Sequence, residues 1–189
     1  MQVPQLTFLD HLPLAQRTVE LAVQLHEGQR READGAAFVV HPLEVASLLA
    51  RSHYPDHVVA AAVLHDVLEN TSEDVTDLQA RFGREVAELV AAVSDDPSIA
   101  DEDARKGELR TRVGRLGGYA AAVYAADKVS KVREIRTALA AGTPAEEVRG
   151  KLQRHRESLD MLEQTMPGSR LVEVLRFEIE ALSELPPER

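Results

Sequence analysis

Inside the apolar run "AAVLHDVLENT", residues 61–71, His65 and Asp66 stand side by side and Glu69 follows within one turn. Burying such groups unpaired costs on the order of 2–7 kcal/mol each, and more if they are charged, so the pair demands a compensating partner. Two further polar residues interrupt apolar patterning: His41 in "FVVHPLEVASLL" and Asp127 in "YAADKVSKVREI". Two imidazoles and two carboxylates make a mixed nitrogen and oxygen donor set. Such a set suits Mn²⁺, Fe²⁺, Zn²⁺ or Mg²⁺ with positions left open for water or substrate. On a continuous helix Glu69, four residues beyond His65 and three beyond Asp66, shares their face. A carboxylate there could orient a water or take its proton.

Taken singly, each residue has a plainer reading. His41 beside Pro42 reads as an N-cap, Asp127 as a surface acid facing Lys128 or Lys131, and His26 as a histidine at the edge of the core. Their order and spacing as a set point to an ion. Arg30, Arg31, Lys128 and Lys131 flank the set and are candidates for phosphate contacts; the plainer reading of each is a solvated surface cation.

The elements that must position these residues read as helices. Apolar or small residues recur at Leu12, Ala15, Val19, Ala22, Val23 and His26 at helical spacing. "READGAAFVV" carries an Asp34-Gly35 turn and reads as a small hairpin or extended loop. Pro42 suits the first position of the next helix, with His41 as its N-cap. "PDHVVAAAVLHDVLEN" is apolar on two sides and is expected to be a central helix. Thr76 and Gln79 have the form of a capping box, and Gly83 is a plausible stop. "SDDPSIADED" is a polar break, followed by a charged helix interrupted at "GRLGG". The stripe Ala120, Val123, Tyr124, Asp127 marks another helix. Val148, Leu152, His155, Leu159 and Leu162, then Leu171, Leu175, Ile179 and Leu182, mark the last two. The fold class expected is all-α, with about eight to ten helices.

The chain has 189 residues, a length that predicts one domain spanning 1–189. Its net charge of −10 argues against general nucleic-acid binding, which needs a basic footprint. A local basic pocket for one phosphorylated small molecule is still compatible with that charge. The absence of cysteine excludes disulfides, a thiolate zinc site and a thiol nucleophile. "MQVPQLTFLDHLPLAQ" lacks the basic and apolar regions of a signal peptide, and no apolar run approaches membrane-spanning length. No membrane association and a cytoplasmic location are expected. Nothing in the sequence bears on oligomeric state.

The ordered segments "LHEGQRR", "FVVHPLEVASLL", "AAVLHDVLENT", "LQARFGREVAELVAAVSDD" and "YAADKVSKVREI" resemble the HD-domain hydrolases of the RelA/SpoT type, most of all the stand-alone small alarmone hydrolases. The similarity covers about residues 16–135. It implies an all-α HD bundle and one divalent ion, Mn²⁺, held by His41, His65, Asp66 and Asp127. It further implies hydrolysis of the 3′-pyrophosphate of ppGpp or pppGpp, with Glu69 matching the first acid of the family's catalytic pair. The second acid of that pair is Asn70 here, and an amide holds water but takes no proton. Glu32 stands where the family has a basic residue, Phe38 where an aromatic hydroxyl is frequent, and Lys131 where an Asn is expected. "LQRHRESLD" lacks the family's substrate-contacting Tyr. These departures leave three readings open: an alarmone hydrolase, an HD protein that binds or senses a nucleotide with weakened catalysis, and a hydrolase of a different phosphorylated substrate.

Overall fold

The computed structural model describes residues 6–183. Among them, ten α-helices follow a short 3₁₀ turn at Thr7–Leu9. They are α1 (Pro13–Leu25), α2 (Val40–Arg51), α3 (Asp56–Leu64), the single turn α4 (Val67–Asn70), α5 (Val75–Phe82), α6 (Arg84–Val93), α7 (Glu102–Leu116), α8 (Gly118–Ala140), α9 (Ala145–Thr165) and α10 (Arg170–Ser183). The expected all-α class holds, and the pairing seen among the described residues is one isolated antiparallel bridge, Arg30 with Ala37.

The centre of the bundle is α3. Val58 through Leu64 are all fully buried, because α1, α2, α6 and α8 pack around it. A helix this apolar on every side has no solvent face, which is why its composition is Ala and Val: small side chains let four neighbours approach closely. The long α8 is the second axis. It contacts α2 and α3 along one side and α7, α9 and α10 along others. Gly83 and Gly117 each end one helix and begin the next, at φ 92°, ψ 166° and φ 60°, ψ −151°. Those backbone regions are essentially restricted to glycine, so two sharp helix-to-helix corners depend on these positions.

Three local expectations are corrected. First, α2 begins at Val40, so His41 lies inside its first turn and Pro42 at the third position rather than the first. Proline is tolerated there because the first turn's N–H groups have no helical partner to lose. Second, the capping box of α5 is formed by Asp74 and Asp77, not Thr76 and Gln79: Asp77 N donates to Asp74 Oδ1 at 2.9 Å and Asp74 N to Asp77 Oδ2 at 3.3 Å. Third, the helix expected to run through Asn70 breaks at His65–Asp66. His65 Nδ1 donates to the Ala62 carbonyl at 2.8 Å, an acceptor that a continuous helix would offer to the Asp66 amide. Asp66 then adopts φ −93°, ψ −3°, and its carbonyl receives the Asn70 amide to start α4.

Segment 26–39 is the tight loop that the Asp34-Gly35 turn suggests. Arg31 N donates to Ala36 O and Phe38 N to Gln29 O, at 2.9 and 3.0 Å. This turns Arg31 back toward Glu134 of α8 and delivers the chain to His41. Among the described residues no helix is long and apolar enough to cross a membrane.

Candidate metal centre

His41 from α2, His65 and Asp66 from the break after α3, and Asp127 from the middle of α8 meet at one point. His41 Nε2 lies 3.2 Å from His65 Nε2 and 3.2 Å from Asp127 Oδ1. Asp66 Oδ2 is 3.5 Å from His41 Nε2, and Asp66 Oδ1 is 3.4 Å from His65 Nε2. One donor atom each from His41, His65 and Asp127 fall within 4.8 Å of one another, and Asp66 closes the fourth side. All four residues are buried.

Proton accounting shows what this cluster lacks. His65 Nδ1 faces a carbonyl, which only accepts, so the ring proton of the neutral imidazole sits there and Nε2 carries a bare lone pair. His41 Nδ1 faces Ser130 Oγ at 2.9 Å, and because that hydroxyl gives its hydrogen to Glu44 it can only accept from Nδ1, which leaves Nε2 bare as well. Two lone pairs then oppose each other beside two carboxylates. Asp66 Oδ2 and Asp127 Oδ1 are buried with no hydrogen-bond partner. Groups of this kind are costly unless a cation lies among them, and the donor set is the one borderline divalent ions take.

The field of the site agrees. With no ion among them the same carboxylates draw a proton instead: burial alone would lower the pKa of His65, but the charges of Asp66 and Asp127 outweigh it and raise it to about 9, so that a proton on Nε2 takes the place a cation would fill. Burial likewise opposes ionisation of Asp127, yet Lys128, His41 and His65 hold its carboxyl well below the usual range. Asp66 is also lowered against its burial, by His65, His41 and Lys131. The pocket draws positive charge inward.

The centre opens on a cavity of about 870 Å³, large enough for a nucleotide-sized ligand. Glu69 and Asn70 stand on its wall. The break before α4 ends the helical register that would have stacked Glu69 over His65. Instead Glu69 Oε1 accepts the Asp95 amide at 2.8 Å. Its partial burial and the Asp66 charge raise its pKa, while that amide pulls the other way. Asn70 is exposed, and its carbonyl accepts from Gln29 Nε2 at 3.1 Å.

The four flanking cations divide into two kinds. Lys128 Nζ is 2.7 Å from Asp127 Oδ2, and Arg31 is paired with Asp34 and lies 3.9 Å from Glu134. Arg30 donates only to the Gly35 carbonyl, and Lys131 stands 5.8 Å from the Phe38 ring centroid; among the described residues neither has an acid in ion-pair range. Glu32, an acid where the family has a base, meets Lys151 of α9 at 3.5 Å. Phe38 packs its ring on His26 at 4.8 Å.

Sequence reasoning missed the far wall, where Lys106 and Arg110 of α7 and Lys151 and Arg154 of α9 also face the cavity. It also missed Glu44 and Ser130 behind His41. A signal for the last two existed, since each lies three residues beyond an expected ligand on its own helix. His155, read only as part of an apolar stripe, lines the cavity; burial and the Lys128 charge lower its pKa to about 3, so it stands there neutral.

The comparisons agree with this geometry. The family model for the HD domain matches residues 18–155. A curated relative from Danio rerio, the guanosine-3′,5′-bis(diphosphate) 3′-pyrophosphohydrolase MESH1, is 30% identical over 136 residues, which is 69% of this chain and 74% of that protein. The Haemophilus influenzae enzyme of the same name, without the MESH1 label, is 43% identical over 74 residues, 39% of this chain but 11% of its own length. Several of the curated relatives are thus much longer proteins, of which this chain matches a small part. Among solved structures, a metazoan ortholog of SpoT superposes with a TM-score of 0.79 at 24% identity, covering 98% of this chain and 100% of that one, and establishes the shared fold. On the match over residues 18–155, the chain belongs to the HD-domain family.

Proposed function

We propose that the protein is a metal-dependent phosphohydrolase that removes the 3′-pyrophosphate of ppGpp or a closely related nucleotide, with Mn²⁺ as its ion. The observation that carries this reading is the convergence of His41, His65, Asp66 and Asp127 beside a cavity that Arg30 and Lys131 also line. The names of the relatives supply the substrate to try first. The reading includes a single domain over residues 1–189, supported by one core that draws on all ten α-helices, and a cytoplasmic setting, where a nucleotide would be met.

His41, His65, Asp66 and Asp127 would hold the ion. When bound, a divalent ion lowers the pKa of water and polarises a phosphoryl oxygen. Glu69, anchored by the Asp95 amide, would orient the attacking water and accept its proton, a task that a raised carboxyl pKa suits. Asn70 would hold the same water by hydrogen bonds alone. Lys128 occupies Asp127 Oδ2 and so turns Oδ1 toward the centre. Arg30 and Lys131, with no acid in ion-pair range among the described residues, are the cations best placed to balance phosphate charge as it develops.

Incubation of the purified protein with Mn²⁺ and a nucleotide panel that includes ppGpp, scored for phosphate against pyrophosphate, tests this directly. The expected product is pyrophosphate from ppGpp, lost in His65→Ala. Turnover that persists in His65→Ala overturns the enzymatic reading. Release of phosphate from another compound instead assigns a different substrate. A second reading, a nucleotide sensor, is favoured by Asn70 and by the acids already paired with Arg31 and Lys128; nucleotide binding with bound metal and no turnover would establish it.

A further inference from the structure

Behind His41, away from the cavity, a chain of hydrogen bonds leads from the candidate metal centre to the surface. His41 Nδ1 lies 2.9 Å from Ser130 Oγ, and that hydroxyl lies 2.8 Å from Glu44 Oε2. Glu44 Oε1 accepts from Arg133 Nη1 at 2.8 Å. Arg133 Nε donates to Glu178 Oε1 of α10 at 2.7 Å, and Arg136 holds the other Glu178 oxygen. Ser130 is fully buried, and the Glu178 side chain is 6% exposed.

The direction of every proton in this chain is determined. Arg133 can only donate, so Glu44 accepts on one oxygen, and as a carboxylate it accepts on the other. The single Ser130 hydrogen therefore points to Glu44, and Ser130 offers a lone pair to His41. His41 must donate from Nδ1, which leaves Nε2 bare and turned toward His65 and Asp127. Glu134 Oε1, 3.1 Å from the same Nδ1, is a second acceptor that favours the same tautomer.

We propose that Ser130 and Glu44, fixed by Arg133 and Glu178, are positioning residues that lock His41 in the tautomer able to bind a metal ion. Outer partners of metal-binding histidines typically contribute about 10–100-fold in affinity. The proposal rests on the metal-centre reading given above and adds residues that lie outside the ligand set.

Glu44→Gln is the diagnostic change, since it alters proton direction with almost no change of shape. The new amide must turn its oxygen to Arg133, an obligate donor, and so presents NH₂ to Ser130. Ser130 then accepts, its hydrogen swings to His41 Nδ1, and the ring proton moves to Nε2, where it blocks the ligating lone pair. Removing that hydroxyl hands Nδ1–H to Glu134. Hence Ser130→Ala in the Glu44→Gln background restores binding, although it deletes one more side chain.

Mn²⁺ affinity is measured by titration for the wild type, Glu44→Gln and Glu44→Gln/Ser130→Ala, with ¹⁵N spectra of neutral His41 in the metal-free proteins. Expected are a loss of about 10–100-fold in Glu44→Gln, recovery of most of it in the double variant, and a shift of the His41 proton from Nδ1 to Nε2 in Glu44→Gln alone. Glu44→Gln affinity within twofold of wild type, or a double variant no better than Glu44→Gln, overturns the relay. If Glu44→Gln does not fold, the wild-type spectrum decides: a proton on Nε2 overturns the proposal, and one on Nδ1 sustains it. A wild type that binds no Mn²⁺ sinks the metal reading, and the spectra still judge the tautomer.

Discussion

Glu69 and Asn70 share the place where the resembled family has two acids, and the structure separates what each can do. Glu69 has a fixed amide donor and a raised pKa, whereas Asn70 presents a side-chain amide that cannot take a proton. Positioned acid–base groups contribute about 10²–10⁴-fold. Asn70→Asp is therefore expected to raise ppGpp turnover by about 10²-fold, the lower end of that span, measured as kcat at saturating Mn²⁺. An unchanged kcat would show that Glu69 alone carries the proton. At this scale the ligand set was legible because four polar residues violated apolar periodicity. Glu44, Ser130 and Glu134 were not, because a polar residue one or two turns from a ligand is ordinary on any helix until the neighbouring helix is known. The four cations were legible as a group, but not the difference between Lys128 and Lys131: only Asp127 and Phe38, brought in by folding, make one an anchor and leave the other free.

Single helices in this protein borrow their stability from others. α1 begins at Pro13 after Leu12, which has no side chain able to cap it. The cap comes from Asp56, the first residue of α3: its Oδ2 accepts Leu14 N and its Oδ1 accepts Ala15 N, both at 2.9 Å. One carboxylate thus satisfies two orphan donors and ties the first helix to the central one. Asp56→Ala is expected to cost about 1–2 kcal/mol, seen as a lower urea midpoint with unchanged slope. A midpoint equal to wild type would mean that water replaces the cap. Periodicity located α1 and α3 and gave their buried faces, since apolar spacing is a property of one segment. It could not show that Asp56 serves a helix forty residues earlier in the chain, nor that α3 ends at Leu64. The pattern across His65 is helical; the break arises because the His65 ring takes the Ala62 carbonyl when its other nitrogen is committed to the centre.

The molecule as a whole carries a net charge of −10, yet the cavity over the centre gathers cations from the 26–39 loop, α7, α8 and α9, set among wall acids such as Glu32, Glu102 and Glu147, with buried carboxylates at its floor. Arg30 and Lys131, which have no acid in ion-pair range among the described residues, are what that cavity offers one small anion. The floor is where α2, α3, α4 and α8 bring together groups that an ion would satisfy: two ring nitrogens face each other at 3.2 Å, and two buried carboxylate oxygens have no hydrogen-bond donor. A ligand that binds only the folded state stabilises it by RT ln(1 + [L]/Kd), about 2.7 kcal/mol at a hundredfold excess over Kd. For a chain of this size each kcal/mol moves the melting temperature by about 2–4 °C, so saturating Mn²⁺ is expected to raise Tm by about 5–11 °C over the chelated protein. His65→Ala removes one ligand and one of the opposed lone pairs together. Its chelated form is expected to melt close to the chelated wild type, and Mn²⁺ to leave its Tm nearly unmoved. Calorimetric scans of both proteins with Mn²⁺ and with chelator give the four temperatures required. A Mn²⁺ shift of equal size in His65→Ala would mean that the ion stabilises the fold from somewhere else on the acidic surface, and the coupling of this centre to the bundle would fall with it.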